Sequence, residues 1–189
     1  MPETTIETVE VATADEMRDL GRRLATELRA GDLLVLTGPL GAGKTTLVQG
    51  IGEGLGVRGP ITSPTFVIAR VHPPLAPPAT TGQAPPALVH ADAYRLGSAL
   101  ELDDLDLDTD TAASVTVVEW GEGLAEGLSA DRLEITITPG AAKAGAISGN
   151  GADEPDDPAE DAPRTVRISA VGERWEGVKL PLASLADRL

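Results

Sequence analysis

Cysteine is absent from this chain of 189 residues, so neither disulfides nor thiolate metal sites can form. Aromatic residues are nearly absent: Phe66, Tyr94, Trp120 and Trp175 are the whole set. The core is therefore aliphatic, and each aromatic needs its own explanation. Basic residues are in deficit, 15 against 30 acidic, for a formal net charge of −15. Contacts to a nucleic-acid backbone need clustered Lys and Arg, so a bare RNA- or DNA-binding surface is not expected. No apolar run approaches the length of a membrane helix, and the acidic N-terminus lacks the apolar stretch of a signal peptide. The expectation is a soluble, cytoplasmic protein with no membrane contact.

What is present suits one α/β domain, 1–189, with 41% apolar residues to build a core. Residues 13–16, Thr-Ala-Asp-Glu, have the form of a capping box. Met17, Leu20, Leu24 and Leu28 follow at helical spacing, and Gly31 ends the run. Strands are expected at 33–37, 65–71, 87–91, 114–119, 133–138 and 166–171. The last two alternate and suit an antiparallel hairpin. Segments 72–86 and 140–163 are rich in small residues, proline and, in the second, carboxylates. Neither buries enough apolar surface to offset its ordering entropy, so both read as flexible excursions between strands. An acidic partner-binding tail is the other reading of the second. The acidic run 101–110, interleaved with Leu102, Leu105 and Leu107, reads as a short helix with a solvated face. It lacks the histidine or loop glycine that would suggest a metal site.

Residues 38–46 read Gly-Pro-Leu-Gly-Ala-Gly-Lys-Thr-Thr, which fits the Gly-x-x-x-x-Gly-Lys-Ser/Thr phosphate loop. An apolar strand precedes it and a helix over 44–55 follows, the context the motif requires. Glycines let the backbone wrap a phosphate with amide hydrogens pointing inward, and the helix N-terminus adds partial positive charge. The candidate nucleotide contacts are Gly38, Leu40, Gly41, Ala42, Gly43, Lys44, Thr45 and Thr46. Lys44 suits the β- and γ-phosphates, and the Thr45 hydroxyl suits Mg²⁺.

Three further clusters narrow the chemistry. Residues 63–66, Ser-Pro-Thr-Phe, lie where a switch segment would meet a γ-phosphate or metal, through Ser63 or Thr65. A Ser-Pro turn opening a strand is the plainer reading. Residues 90–96, His-Ala-Asp-Ala-Tyr-Arg-Leu, follow an apolar strand, and Asp92 sits where a metal-associated aspartate ends such a strand. His90 shares its strand face, although one histidine alone reads better as a packed neutral side chain. Arg95 suits either an acidic neighbour or phosphate. Glu119 and Trp120 close the strand 114–119, and ligands of open α/β sheets bind beyond such carboxyl ends. A carboxylate there orders attacking water or the metal's water shell, and Trp120 suits packing beside a nucleotide.

Taken in order, these clusters resemble the TsaE family, formerly YjeE, over about residues 5–138 and the strand near 166–171. The resemblance implies a P-loop NTPase-like α/β fold: a largely parallel central sheet flanked by helices, with an antiparallel C-terminal strand pair. It implies a slow ATPase using ATP and Mg²⁺. Lys44, Asp92 and Glu119 would be catalytic, Thr45, Asp92 and Glu119 would hold the metal, and Thr65 and Trp120 would lie beside the nucleotide. It also implies TsaD and TsaB type partners that modify adenosine 37 of tRNA. Pro39 departs from the family, which often has aspartate there. A small-molecule kinase shares the loop, but the chain shows no arginine-rich lid. A nucleotide-gated binding subunit, in which hydrolysis is incidental, is the non-enzyme alternative.

Charge generates the first test. The isolated chain should not bind tRNA at moderate salt, because counterion release has no basic surface to exploit. Contact with tRNA would come only through the complex. A filter-binding titration of purified protein with tRNA checks this, and saturable binding would overturn it.

Overall fold

The computed structural model describes residues 4–64, 69–75, 85–93, 112–120, 123, 127, 129–140 and 162–183. Among these residues seven strands form one sheet: β1 (Thr5–Val11), β2 (Leu33–Thr37), β3 (Ala69–His72), β4 (Ala87–Asp92), β5 (Ser114–Glu119), β6 (Arg132–Pro139) and β7 (Arg164–Val171). Their order across the sheet is β1-β7-β6-β2-β5-β4-β3. Two helices accompany them, α1 (Ala14–Ala25) and α2 (Lys44–Leu55).

The parallel pairings, β6–β2, β2–β5 and β5–β4, are confined to the four central strands. The remaining pairings, β1–β7, β7–β6 and β4–β3, are antiparallel. An expected largely parallel sheet thus becomes a parallel centre with antiparallel edges, and the expected C-terminal hairpin is β6–β7. The strand sequences reflect this. β2, Leu-Leu-Val-Leu-Thr, is an unbroken apolar run buried on both faces, as a central parallel strand must be. β6 alternates Leu133, Ile135 and Ile137 inward against Glu134, Thr136 and Thr138, so only one of its faces meets the core.

Both described helices pack on that same face. Met17, Leu20 and Leu24 of α1 and Leu47, Val48 and Ile51 of α2 join Leu34, Leu36, Val115, Val117 and Ile135 in the main core. A smaller cluster of Leu33, Val35, Ala91, Ala93 and Val118 covers the opposite face. Among the described residues, both helices lie on one side of the sheet. The helices meet backbone to backbone. A Cβ on Gly21 would lie 2.4 Å from Leu47 O, and one on Gly50 would lie 2.0 Å from Arg18 O. Only residues without a side chain allow that approach.

Local chemistry sets several boundaries. Thr13 caps α1 by accepting from Glu16 N at 3.1 Å, while the Glu16 carboxylate accepts from Ala12 N at 2.7 Å. The helix ends at Ala25, short of Gly31. The hydroxyl of Thr26 donates to Arg23 O at 2.7 Å, local competition that favours termination. Leu28 still reaches the core, but from the irregular backbone after the Thr26–Glu27 turn. β1 was not anticipated. It is an edge strand with three acceptors of charge or hydroxyl type between its apolar residues, and it buries only Val11 fully. His72 does not begin an excursion: it ends β3, buried, with Nδ1 3.0 Å from Arg58 O. The ends of segment 140–163 are joined by the hairpin itself, with Pro139 opposite Arg164 and Gly140 against Pro163. The expected strand residues 65–68, the acidic run 101–110 and most of both excursions lie outside the described residues.

Gly50→Ala should destabilise the protein by about 3 kcal/mol, the upper end of overpacking costs, because the new methyl meets backbone rather than a yielding side chain. A denaturant melt measures this. An unchanged midpoint would mean that α1 and α2 separate at little cost.

Candidate functional site

The loop between β2 and α2 turns through Gly41 at φ 77° and Gly43 at φ 104°, left-handed conformations that favour glycine. Gly38 packs against β6, where a Cβ would meet Ile137 O at 2.7 Å. Gly43 precedes the helix without a side-chain cap, so the first-turn amides of α2 face the loop. Lys44 is buried, and its ammonium donates to Gly38 O at 2.7 Å and Pro39 O at 3.0 Å. The same ammonium lies 4.2 Å from the ring centroid of Trp120, a cation–π contact. Burial pushes the Lys44 amine below its usual range, and the nearby Glu119 and Asp92 carboxylates oppose that shift. Pro39, the departure within the loop, is exposed, and its carbonyl also accepts from Ala42 N at 3.1 Å.

The opposite wall comes from strand ends. The parallel register sets Asp92 of β4 beside Glu119 of β5, and Glu119 beside Leu36 of β2. Both carboxylates are buried, and the Thr45 hydroxyl donates to Glu119 Oε1 at 3.4 Å. Trp120 follows at φ 58°, and its amide donates to Leu36 O at 2.9 Å. A cleft of about 560 Å³ is lined by Leu40, Gly41, Gly43, Lys44, Thr45, Thr46, Ser63, Asp92, Glu119 and Trp120. Leu40 stands at its lip, 93% exposed.

The candidates from the sequence are thus distributed clearly. Lys44, Thr45, Asp92, Glu119 and Trp120 share one cleft, with Ser63 at its edge. Gly38 and Ala42 are buried and do not line it. Thr65, Phe66, Tyr94 and Arg95 lie outside the described residues. His90 is fully buried, as a packed histidine would be, yet its Nε2 lies 2.7 Å from Glu119 Oε1. Its two-residue spacing from Asp92 signalled a shared face, but the partner depends on strand register, which the sequence does not display. The oxygen donors Thr45, Asp92 and Glu119 fit Mg²⁺, a hard cation that keeps waters and phosphate oxygens among its ligands. No group of three or more His, Asp or Glu forms an all-protein metal cage among the described residues.

A mixed α/β sheet, with a glycine loop joining its central strand to a helix and two carboxylates at neighbouring strand ends, defines a phosphate-loop-like class of site. The chain belongs to the TsaE family: residues 11–145 match the family described as threonylcarbamoyl adenosine biosynthesis protein TsaE. It is similar to the tRNA threonylcarbamoyladenosine biosynthesis protein TsaE of Streptomyces coelicolor, 56% identical over 84% of this chain and 93% of that one. It is also similar to the protein of that name from Mycobacterium tuberculosis, 52% identical over 69% and 77%, and from Bacillus subtilis, 34% over 86% and 84%. Among solved structures, YdiB of Bacillus subtilis superposes with a TM-score of 0.62 at 27% identity, covering 92% of this chain and 91% of that one.

The Lys44–Trp120 contact predicts a signal. Tripolyphosphate or a nucleotide that draws the ammonium off the ring should change tryptophan emission. Trp120→Phe should abolish the change, and Trp175→Phe should preserve it, because Trp175 is buried in the core. The reverse pattern would place the ligand away from this cleft.

Proposed function

We propose that this chain is a Mg²⁺-dependent ATPase of P-loop NTPase-like fold, with low intrinsic turnover. It serves the threonylcarbamoyl modification of adenosine 37 in tRNA by acting on a TsaD–TsaB type complex in the cytoplasm. The observation that carries the reading is the convergence of Lys44, Thr45, Asp92, Glu119 and Trp120 on one cleft at the carboxyl ends of adjacent parallel strands. Membership of a family described by threonylcarbamoyl adenosine biosynthesis supplies the biological setting.

The residues divide the work by chemistry. β- and γ-phosphates offer Lys44 charged acceptors, stronger than the carbonyls of Gly38 and Pro39 that it now engages. Loop amides and the α2 N-terminus bind the remaining phosphate oxygens. Thr45, with Asp92 and Glu119, would hold Mg²⁺, which neutralises charge on the phosphates. Glu119 also suits a role as acceptor for the attacking water, because it is a buried carboxylate on the cleft wall. Trp120 gives the nucleotide an apolar surface, and Ser63 gives a hydroxyl at the cleft edge.

Two sets of variants test this. Lys44→Ala should abolish turnover or weaken ATP binding strongly while the fold persists, since it removes the loop's cation. Asp92→Asn and Glu119→Gln should lower kcat by about 10²–10³, as loss of a preorganised charge does, with smaller effects on ATP affinity. Turnover is measured with the partner proteins present. Wild-type rates and affinity in folded Lys44→Ala would remove the ATPase reading.

A further inference from the structure

We propose that His90 is a positioning residue for the reaction: its ring N–H holds one oxygen of Glu119 and leaves the other to serve the cleft. The inference deepens the ATPase reading and rests on it. Its geometry is specific. His90 is 0% exposed, and its Nε2 sits 2.7 Å from Glu119 Oε1. The strand register pairs His90 with Val117 and Asp92 with Glu119, so the imidazole reaches one diagonal step toward the carboxyl end of the sheet. A carboxylate only accepts, so Nε2 carries the hydrogen in this bond. Nδ1 is buried with no hydrogen-bond partner among the described residues, where the Glu119 contact is the ring's one hydrogen bond.

That pattern argues against simple packing. Of the strand neighbours on this face, Leu88, Val115 and Val117 are aliphatic and fully buried, while Arg70 on β3 and Asp92 on β4 are charged, and the recorded hydrogen bond of the ring goes to neither. An aliphatic side chain would fill the space without burying an unsatisfied nitrogen. The one interaction that repays the imidazole's burial falls on the cleft carboxylate. Thr45, on the first turn of α2, donates to the same Oε1 at 3.4 Å. Donors from β4 and α2 therefore converge on one oxygen of a β5 side chain. This fixes the carboxylate plane, and Oε2 becomes the free acceptor for water. Outer partners that orient a reacting or ligating group are worth about 10–100-fold in activity.

The test uses the full-length chain with its TsaD–TsaB type partners, ATP and Mg²⁺. His90→Leu should lower kcat about 10–100-fold, with KM for ATP changed by less than about threefold, the split expected when an interaction serves the transition state alone. His90→Gln, which can still donate through its amide, should recover much of the rate. The double variant with Glu119→Gln should be no slower than Glu119→Gln alone, because the two act as a unit. A second arm does not depend on turnover. The chain has two histidines, and His72 places Nδ1 on Arg58 O, the opposite arrangement to His90. Nitrogen-15 NMR should show one Nδ1–H and one Nε2–H ring, with His72→Gln assigning them. The His90 hydrogen-bonded proton should be lost in Glu119→Ala. An Nδ1–H tautomer at His90, or wild-type kcat in folded His90→Leu, would overturn the proposal. If the wild-type protein shows no hydrolysis with its partners, the ATPase reading fails, and the NMR arm still decides whether His90 holds Glu119.

Discussion

The arrangement depends on the approach of α1 to α2, closer than side chains permit. Gly21 faces Leu47 O and Gly50 faces Arg18 O, so the two helices lie as one layer on one face of the sheet. That layer presses α2 onto the strands beneath it and thereby fixes the direction of its first turn. Lys44 and Thr45 are on that turn, and their positions follow from helix packing as much as from the loop. The ion pairs at the rim, Arg22 with Glu53 at 2.7 Å and Arg18 with Glu53 at 3.7 Å, close the same contact. Being partly exposed, they add at most about 1 kcal/mol each. The backbone contact is the rigid element and the charges decorate it.

Sheet register is the second constraint, and it converts position into chemistry. β2, β5 and β4 run parallel, so their carboxyl ends reach the same edge and deliver Asp92 and Glu119 side by side opposite the loop. A buried lysine among apolar neighbours would lose its charge. Here two carboxylates oppose the desolvation that lowers the Lys44 pKa. In a chain of net charge −15, recognition of an anion cannot come from the overall field. Among the described residues lining the cleft, Lys44 and the oriented amides of the loop and helix terminus are the groups suited to it. The same acidity favours a partner with a basic face over direct contact with RNA.

Much of this was legible in the sequence, for physical reasons. β2, α2 and β5 fall at 33–37, 44–55 and 114–119, as read from apolar runs and the glycine loop. Continuous apolar strands and a glycine-punctuated helix start are strong local signals. β1 was missed because an edge strand bearing Glu7 and Glu10 buries too little to show a pattern. Leu28 extended the helical spacing in sequence, but Thr26 ended the helix first. That α1 and α2 share one face was not legible, since sequence gives periodicity but not which face of a sheet a helix chooses. The same limit hid the His90–Glu119 bond: residues 29 positions apart meet only through register.

Trp120 and Trp175 are held by the structure in different ways. Trp175 is buried in the aliphatic core, beside the Arg174 guanidinium that also grips Asp32 at 3.0 Å, and its backbone is unremarkable. Trp120 instead takes φ 58°, the left-handed region, the only non-glycine residue to do so among those described. For an aromatic this costs about 1–2 kcal/mol. Its amide donates to Leu36 O at 2.9 Å, continuing the β2–β5 pairing one residue past the strand, and this helps offset the strain. The conformation turns the ring out of the strand direction and over Lys44. A residue serving only the core would relax to an ordinary conformation or be replaced by glycine. Strain kept in a half-buried tryptophan, next to the loop cation and the Glu119 carboxylate, is a property of the site rather than of the fold.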